Sequence, residues 1–270
     1  MRSPLNKRLF REFRGEFGKY LVIFILMTLT IGMVSGFLVA DGSMIQAYEE
    51  SFEKYNIENG HFRTEKKMNN VQIQDIEDLG IKLYENYYVE EALTNGSTMR
   101  IFKNRDEVNK VCLMKGKMPE KPGEIGIDRM YADNNDLSVG DEIESGGHTW
   151  KITGLVALSD YSALFSNNND SMFDSVKFGV SVVCPEEFDS CKADQLNYSY
   201  AWKYNTEPKN EKAEKDISED LMEDVAKEVT LEEFVPRYTN QAIIFTGDDM
   251  GGDRSMMIVL LYIIIVIMAF

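Results

Sequence analysis

Twenty consecutive residues, Leu21 to Ala40 (LVIFILMTLTIGMVSGFLVA), carry no charge. A helix of ~20 residues rising 1.5 Å per residue matches the ~30 Å hydrocarbon layer of a bilayer. Because lipid offers no hydrogen-bond partners, the backbone amides of such a run must satisfy one another, and a helix does this within one segment. Six basic side chains precede the run (Arg2, Lys7, Arg8, Arg11, Arg14, Lys19) against two acids (Glu12, Glu16), while the whole chain has a formal net charge of −16. Lys and Arg stay on the cytoplasmic side, so the expected topology has a cytoplasmic N-terminus and residue 41 onward outside. A cleaved signal peptide also pairs a basic start with an apolar core. Its core spans only ~7–15 residues, however, and no convincing small-x-small site follows here. No Cys follows the run, which disfavours a lipoprotein.

A second uncharged run, Met256 to Phe270 (MMIVLLYIIIVIMAF), closes the sequence. It is short for a span, and the expectation is a second transmembrane helix cut by the end of the sequence; a buried soluble helix is the other reading of so short a run. The expected layout is a basic amphipathic helix at 1–20, a first transmembrane helix at 21–40, an acidic extracytoplasmic domain at 41–255 and the second helix from 256 to 270.

In the N-terminal segment Leu5, Leu9, Phe10, Phe13 and Phe17 recur at helical spacing, with Arg8 and Arg11 between them, which reads as a helix lying on the inner membrane surface. Beyond the first run Ile45, Tyr48, Phe52 and Tyr55 follow a 3-4-3 spacing, the packing seam of a helical stalk over 41–58 that Asn59-Gly60 is expected to end. A short helix is expected over Val71 to Leu79, stopped by Gly80. Strands follow at Ile81 to Leu93, and a hairpin at Asn95-Gly96 leads into Thr98 to Phe102. Explicit turns at Pro122-Gly123, Val139-Gly140-Asp141 and Gly146-Gly147 bound short strands at Glu124 to Asp128, Asp141 to Glu144 and His148 to Leu158. These suggest a small barrel or sandwich-like β-rich subdomain over about 98–160, with a helix near Met130 to Asn134. Further strands are expected at Lys177 to Cys184, Tyr198 to Tyr204 and Gln241 to Phe245. An amphipathic helix is expected at Lys209 to Glu228, and a glycine-rich acidic neck at Thr246 to Arg254. The fold class is therefore a membrane protein whose transmembrane α-helices flank an α+β extracytoplasmic domain.

The acidic balance argues against a nucleic-acid surface, which needs clustered Lys and Arg. No Walker A sequence occurs, because Lys115-Gly116-Lys117 lacks the glycine loop before it and a hydroxyl residue after it. No GxSxG or HExxH is present, and the two histidines, His61 and His148, lie far apart. No catalytic, cofactor or metal residue is assigned. The cluster Asp248-Asp249-Met250-Gly251-Gly252-Asp253 lacks EF-hand ligand spacing and reads as a solvated neck. Cys112, Cys184 and Cys191 form neither a disulfide framework nor a metal site by spacing; Cys184 and Cys191 are able to pair, but small partly buried side chains are the better reading. The triplets beginning at Asn95, Asn169 and Asn197 match the glycosylation pattern and matter only in a eukaryotic secretory route.

The order of these pieces resembles the FtsX-like or MacB-like permeases of ABC transporters, in particular those of Gram-positive bacteria. Met114 to Leu158 resembles that family's outside-domain signature, with a Gly-x-x-Pro element, an E-I-x-I strand, a V-G-D turn and a strand ending in G-L-V. Lys7-Arg8-Leu9-Phe10-Arg11-Glu12 before the first span and Asn240-Gln241-Ala242-Ile243 before the second add to it. The resemblance implies a MacB-like periplasmic core domain and a multi-pass cell-membrane subunit. It also implies a second permease subunit, identical or different, and a separate cytoplasmic ABC ATPase that binds the ATP. The family's coupling segment after the second span is not in this sequence, so no ATPase-contact residue is carried over. A membrane sensor receptor with an extracytoplasmic ligand-binding domain shows the same span-domain-span order and is the alternative.

Overall fold

The computed structural model describes residues 11–145 and 147–269. Arg8, Leu9 and Phe10 of the expected surface helix, and Gly146 of one expected turn, lie outside the described residues. The chain divides into two compact units: residues up to Tyr48 together with those from Gly247 onward, and Glu49–Thr246.

The first unit is helical. Residues 11–15 are helical, with a bend at Glu16, and α1 then runs Phe17–Lys54. Phe13 meets Phe17 edge-on with ring centroids 5.7 Å apart and stacks on Tyr20 at 5.4 Å. Most apolar side chains of α1 are bare, Leu26, Leu29 and Met33 being 64%, 66% and 75% exposed, while Val34 is buried. Its hydroxyls turn inward, Thr28 Oγ1 donating to the Phe24 carbonyl and Thr30 Oγ1 to that of Leu26, both at 2.8 Å. Both are the arrangement a helix needs in lipid, where apolar surface is favoured outward and polar groups are satisfied locally. The closing helix, Gln241–Ala269, is likewise long and apolar enough to cross a membrane; it is numbered α6 below. Gly247 of this helix lies under the ring of Tyr48, where a Cβ would come within 2.6 Å.

The second unit holds two sheets. The first comprises β1 (Gly60–Thr64), β2 (Ile81–Glu85), β10 (Tyr198–Tyr204) and β11 (Leu231–Pro236), antiparallel throughout in the order β11-β1-β10-β2. Helices α2 (Asn70–Glu77) and α5 (Glu211–Glu228) pack together against it through Ile76, Leu221 and Val225. The start of α2 is set by a capping box, Asn69 accepting from the Gln72 amide while Gln72 reaches back to the Asn69 amide. At its centre Phe62, fully buried, stacks on Tyr200, Trp202 and Phe234 at 5.6, 6.2 and 6.4 Å. Gly60 is required at the edge of this stack, because a Cβ there would overlap the Trp202 indole and lie 2.7 Å from the Val235 carbonyl oxygen.

The second sheet is an insertion between the two halves of the first. It contains β3 (Tyr88–Ala92), β4 (Thr98–Lys103), β5 (Val111–Gly116), β6 (Glu124–Asp128), β7 (Glu142–Ser145), β8 (His148–Leu158) and β9 (Phe178–Val183). The order is β3-β4-β9-β6-β8-β5, with β7 also on β8. The pairs β4/β9 and β6/β8 are parallel. The sheet is mixed, an isolated antiparallel bridge between Leu93 and Ser145 joins the end of β3 to β7, and β9, from outside the expected 98–160 span, is wedged between β4 and β6. A parallel neighbour joined by a long crossover leaves no local signal for sequence periodicity to report. The Asn95-Gly96 hairpin, with Gly96 at φ 79°, joins β3 and β4 as expected. Strands β1, β5 and β11 had not been anticipated.

Helix α3 (Arg129–Asn134), followed in chain order by the single turn α4 (Pro185–Phe188), is capped by Asp128, whose Oδ1 accepts from Met130 N at 2.7 Å and Tyr131 N at 3.2 Å. Burial raises the Asp128 carboxyl from its ordinary 3.8 to about 6, against the lowering effect of those two amides. A folded value above the unfolded one means that the group favours folding below pH 3.8 and ceases to do so as pH rises through 6. Asp128→Asn keeps the capping oxygen and removes the buried charge. It should raise stability at neutral pH by up to about 3 kcal/mol and flatten the stability profile across that window, as read by thermal unfolding against pH.

Two further expectations are corrected. Gln241 to Phe245 is not a strand but the first turn of α6, and the acidic neck after it is helical too. Asn240 Oδ1 accepts from Ala242 N at 3.1 Å, and its carbonyl accepts from Ile243 N and Ile244 N at 3.0 and 2.9 Å, so an N-cap decides what a short apolar run leaves ambiguous. At the other end α1 stops at Lys54, not at Asn59-Gly60. Asn56 takes a positive φ of 50°, which Asn tolerates, and the chain turns away from the helix there.

Candidate functional site

Two segments of the second unit, 55–61 after α1 and 236–246 at the start of α6, are held by a dense set of buried polar contacts. Asn59, fully buried, uses every hydrogen-bonding group it has. Its N–H donates to the Trp202 carbonyl at 2.8 Å and its carbonyl accepts from Arg237 N at 2.8 Å. Its Oδ1 accepts from Tyr204 N at 3.1 Å, and its Nδ2 donates to Glu207 Oε2 at 3.1 Å. Arg237 thus connects the exit strand to the entry segment, and its guanidinium also lies 5.3 Å above the Phe52 ring.

Beside it Glu58, 1% exposed, receives Asn109 Nδ2 on Oε2 at 2.6 Å and His61 Nδ1 on Oε1 at 2.6 Å, while the Glu58 N–H donates to Asn109 Oδ1 at 2.9 Å. Burial by itself would push the Glu58 carboxyl up and the His61 imidazole down. The attraction between the two and the hydrogen bonds around them outweigh it, so Glu58 is lowered and His61 raised. Asn109 stands at φ 49° and its N–H donates to the Asn56 carbonyl at 3.1 Å, so two left-handed asparagines lock the β4–β5 loop onto the end of α1.

The same loop carries Arg105, which forms a two-pronged pair with Asp160 at 2.8 and 2.7 Å, donates to Asn86 Oδ1 at 2.8 Å and lies 4.6 Å over the Phe102 ring. The side chains of this pair are 7% and 5% exposed. Burial raises the Asp160 carboxyl, opposed by Arg105. Two residues on, Ser162 Oγ donates to the carbonyls of Ala242 and Ile243, both at 2.9 Å, and Thr246 Oγ1 donates back to the Ser162 carbonyl at 3.1 Å. Phe165, Phe173 and Phe245 close this corner with ring centroids 5.4–5.7 Å apart.

The residues singled out from sequence fare unequally. Ile45 and Tyr48 are half-buried on α1. Phe52 receives Arg237, while Tyr55 lies past the end of the helix and its OH donates to Cys112 Sγ at 3.2 Å. These four therefore do not share one helical seam. Phe13 and Phe17 are half-exposed neighbours, and Arg11 is exposed. The anchoring is done by Glu58, Asn59, His61, Arg105, Asn109 and Asp160, whose pairs Glu58–Asn109 and Arg105–Asp160, 51 and 55 positions apart, leave no spacing to recognise. All three cysteines are free thiols, with Cys184 buried.

Between the two sheets lies a polar cleft of about 670 Å³, bounded by β1, β3, β4 and the loop after β8, and reached by His61, Asn86, Arg100, Asp160, Asn168 and Asn240. Arg100 pairs with Glu90 at 2.6 Å, donates to Tyr161 OH at 2.7 Å and to the Ser166 carbonyl at 2.9 Å, and stands over the Tyr88 ring at 4.5 Å. Among the described residues no group of His, Cys, Asp and Glu has the arrangement of a metal site.

No family model and no curated protein matches this chain. Solved structures similar to it include the periplasmic region of MacB from Actinobacillus actinomycetemcomitans, at 11% identity and TM-score 0.34, covering 63% of this chain and 86% of that one. The extracellular domain of the noncanonic ABC-type transporter YknZ from Gram-positive bacteria matches at 8% identity and TM-score 0.33, covering 62% and 93%. A Bacillus anthracis chain described as a lipoprotein matches at 11% identity and TM-score 0.32, covering 65% and 96%.

Proposed function

We propose that this chain is the membrane-embedded permease subunit of an ABC transporter, working with a separate cytoplasmic ATPase and a second permease subunit. The observation that carries the reading is the anchoring of both chain segments that join the apolar helices to the α+β unit. Asn59, Glu58, Arg237 and Ser162 tie those segments into the sheets by buried hydrogen bonds. Buried, fully satisfied polar networks are stiff, because each broken bond leaves an unpaired group out of reach of water. Displacement of a membrane helix is then passed to the folded unit instead of being lost in a loose linker. The ordered motifs of Met114 to Leu158 support the same reading, and the basic tip supports an α+β unit outside the cell membrane. ATP is bound by the partner, and the transported or regulated cargo is a peptide, a lipoprotein or a cell-envelope component.

A tagged full-length protein should retain an ATPase subunit through purification and change its rate of ATP hydrolysis in lipid. A preparation that never does either, and instead carries a kinase or its docking protein, would favour the sensor receptor. Topology is tested independently with an impermeant thiol reagent on intact cells. Cys112 and Cys191, half-buried, should react before lysis and Cys184 only after unfolding. Reaction of Cys112 and Cys191 solely after lysis would place the domain inside.

A further inference from the structure

The walls of the cleft between the sheets show an imbalance that narrows what it takes. Their buried and half-buried charges are already matched within the protein: Arg63 with Glu232 at 2.6 Å, Arg100 with Glu90, Arg105 with Asp160, and His61 with Glu58. The exposed Asp174 and Lys177 at the rim are of opposite sign. A charged ligand would have to break an existing pair or enter unpaired, and both are costly in a partly dehydrated cleft.

Three asparagine amides tell the complementary story. Asn86 Oδ1 accepts from Arg105, Asn168 Oδ1 accepts from Gln241 N at 2.8 Å, and Asn240 Oδ1 accepts from Ala242 N at 3.1 Å. Each side chain is therefore fixed through its oxygen, while its Nδ2 has no acceptor among the described residues. Asn86 and Asn240 are only 6% and 5% exposed, and both line the cleft. Each amide has two N–H donors. Tyr88, Tyr161 and Phe165 add aromatic surface beside them.

We infer that this cleft is a binding site for a neutral, oxygen-rich ligand, namely a short oligosaccharide. Hydroxyl, ring and glycosidic oxygens would receive the unused amide donors, the C–H faces of the sugar rings would lie on the aromatic side chains, and no existing ion pair would be disturbed. The cavity is within the ~300–1,000 Å³ range of small-molecule sites. The inference rests on the cleft alone and stands or falls separately from the transporter reading.

The test uses the full chain in lipid nanodiscs, free of sugar-headed detergent. Maltotriose, cellotriose and chitotriose are the probes, with trialanine, glutamate and inorganic phosphate as comparisons, followed by saturation-transfer NMR and calorimetry. At least one trisaccharide should bind. Asn168→Asp and Asn240→Asp keep the accepting oxygen at the start of α6, where a carboxylate is also favourable, and turn the donor into an acceptor. Each should weaken binding about tenfold, the loss of one hydrogen bond; the melting temperature should hold in the half-buried Asn168 variant and fall in the Asn240 variant, whose carboxylate is buried. Absence of trisaccharide binding at about 10 mM would overturn the proposal. Binding of trialanine or a charged probe without any saccharide, or equal binding by both variants, would do the same.

Discussion

Arg105→Met should cost about 3–5 kcal/mol of folding stability, because it leaves the Asp160 carboxylate buried without its counter-charge. Asp160 is 4% exposed and holds both guanidinium prongs, and Asn86 loses the donor that positions its amide. The methionine fills much of the volume and still covers the Phe102 ring, so the deficit reports on charge more than on packing. Two measurements separate this from generic damage. Adding Asp160→Asn to the variant should recover most of the loss, since a neutral amide is far cheaper to bury than a carboxylate. Burial already raises Asp160, and removing Arg105 raises it further, so the single variant's deficit should shrink as pH falls and the carboxyl takes up a proton. Unfolding of the nanodisc-embedded protein, followed by tryptophan fluorescence, supplies both numbers. A loss below about 1 kcal/mol, in the range of an exposed pair, would mean that the pair is not dehydrated as described.

Phe62→Ala should be comparably severe, at about 3–5 kcal/mol, for a different reason. The ring is fully buried between Tyr200, Trp202 and Phe234 on the face of the first sheet that α2 and α5 cover. Strand β1 lies between β11 and β10, so the cavity opens in the middle of the sheet, where neighbours on both sides prevent collapse. Phe62→Leu should recover more than half of the loss by refilling the space without the stacking. Since a domain's whole margin is only about 5–15 kcal/mol, the alanine variant should also become sensitive to protease at growth temperature. Survival of the alanine variant with an unchanged unfolding midpoint would show that this aromatic stack is not the core of the sheet.

Features governed by neighbours in the chain were readable in advance. The strand His148–Leu158 and the strand Glu124–Asp128 came out with the expected bounds, and Asn95-Gly96 and Gly80 are the turns they looked like. In each case the signal is a backbone need met within a few residues: positive φ at glycine, or alternation of apolar side chains across a pleat. Gln241 to Phe245 reads as a strand yet folds as helix, because five residues rich in apolar side chains satisfy strand and helix alike. The deciding group, the Asn240 cap, acts only once the following turns are helical. The stalk is shorter than expected for the converse reason: its apolar spacing runs on past Lys54, but the hydrogen bonds that join Tyr55 and Asn56 to Glu107, Asn109 and Lys110 of a distant loop end the helix first.

By itself, then, the sequence determined that two stretches of this chain are too apolar to rest in water and that an acidic, strand-rich segment lies between them. Lipid compatibility is a sum over consecutive side chains and needs no knowledge of the fold. Only the tertiary structure decided that the middle strands form an insertion between the halves of another sheet, and that Arg105 meets Asp160 and Glu58 meets Asn109. It also decided that a donor-rich cleft opens between the two sheets. Those pairings join residues about fifty positions apart, and their energy comes from removing water from both partners at once, a condition that exists only after the sheets have closed around them.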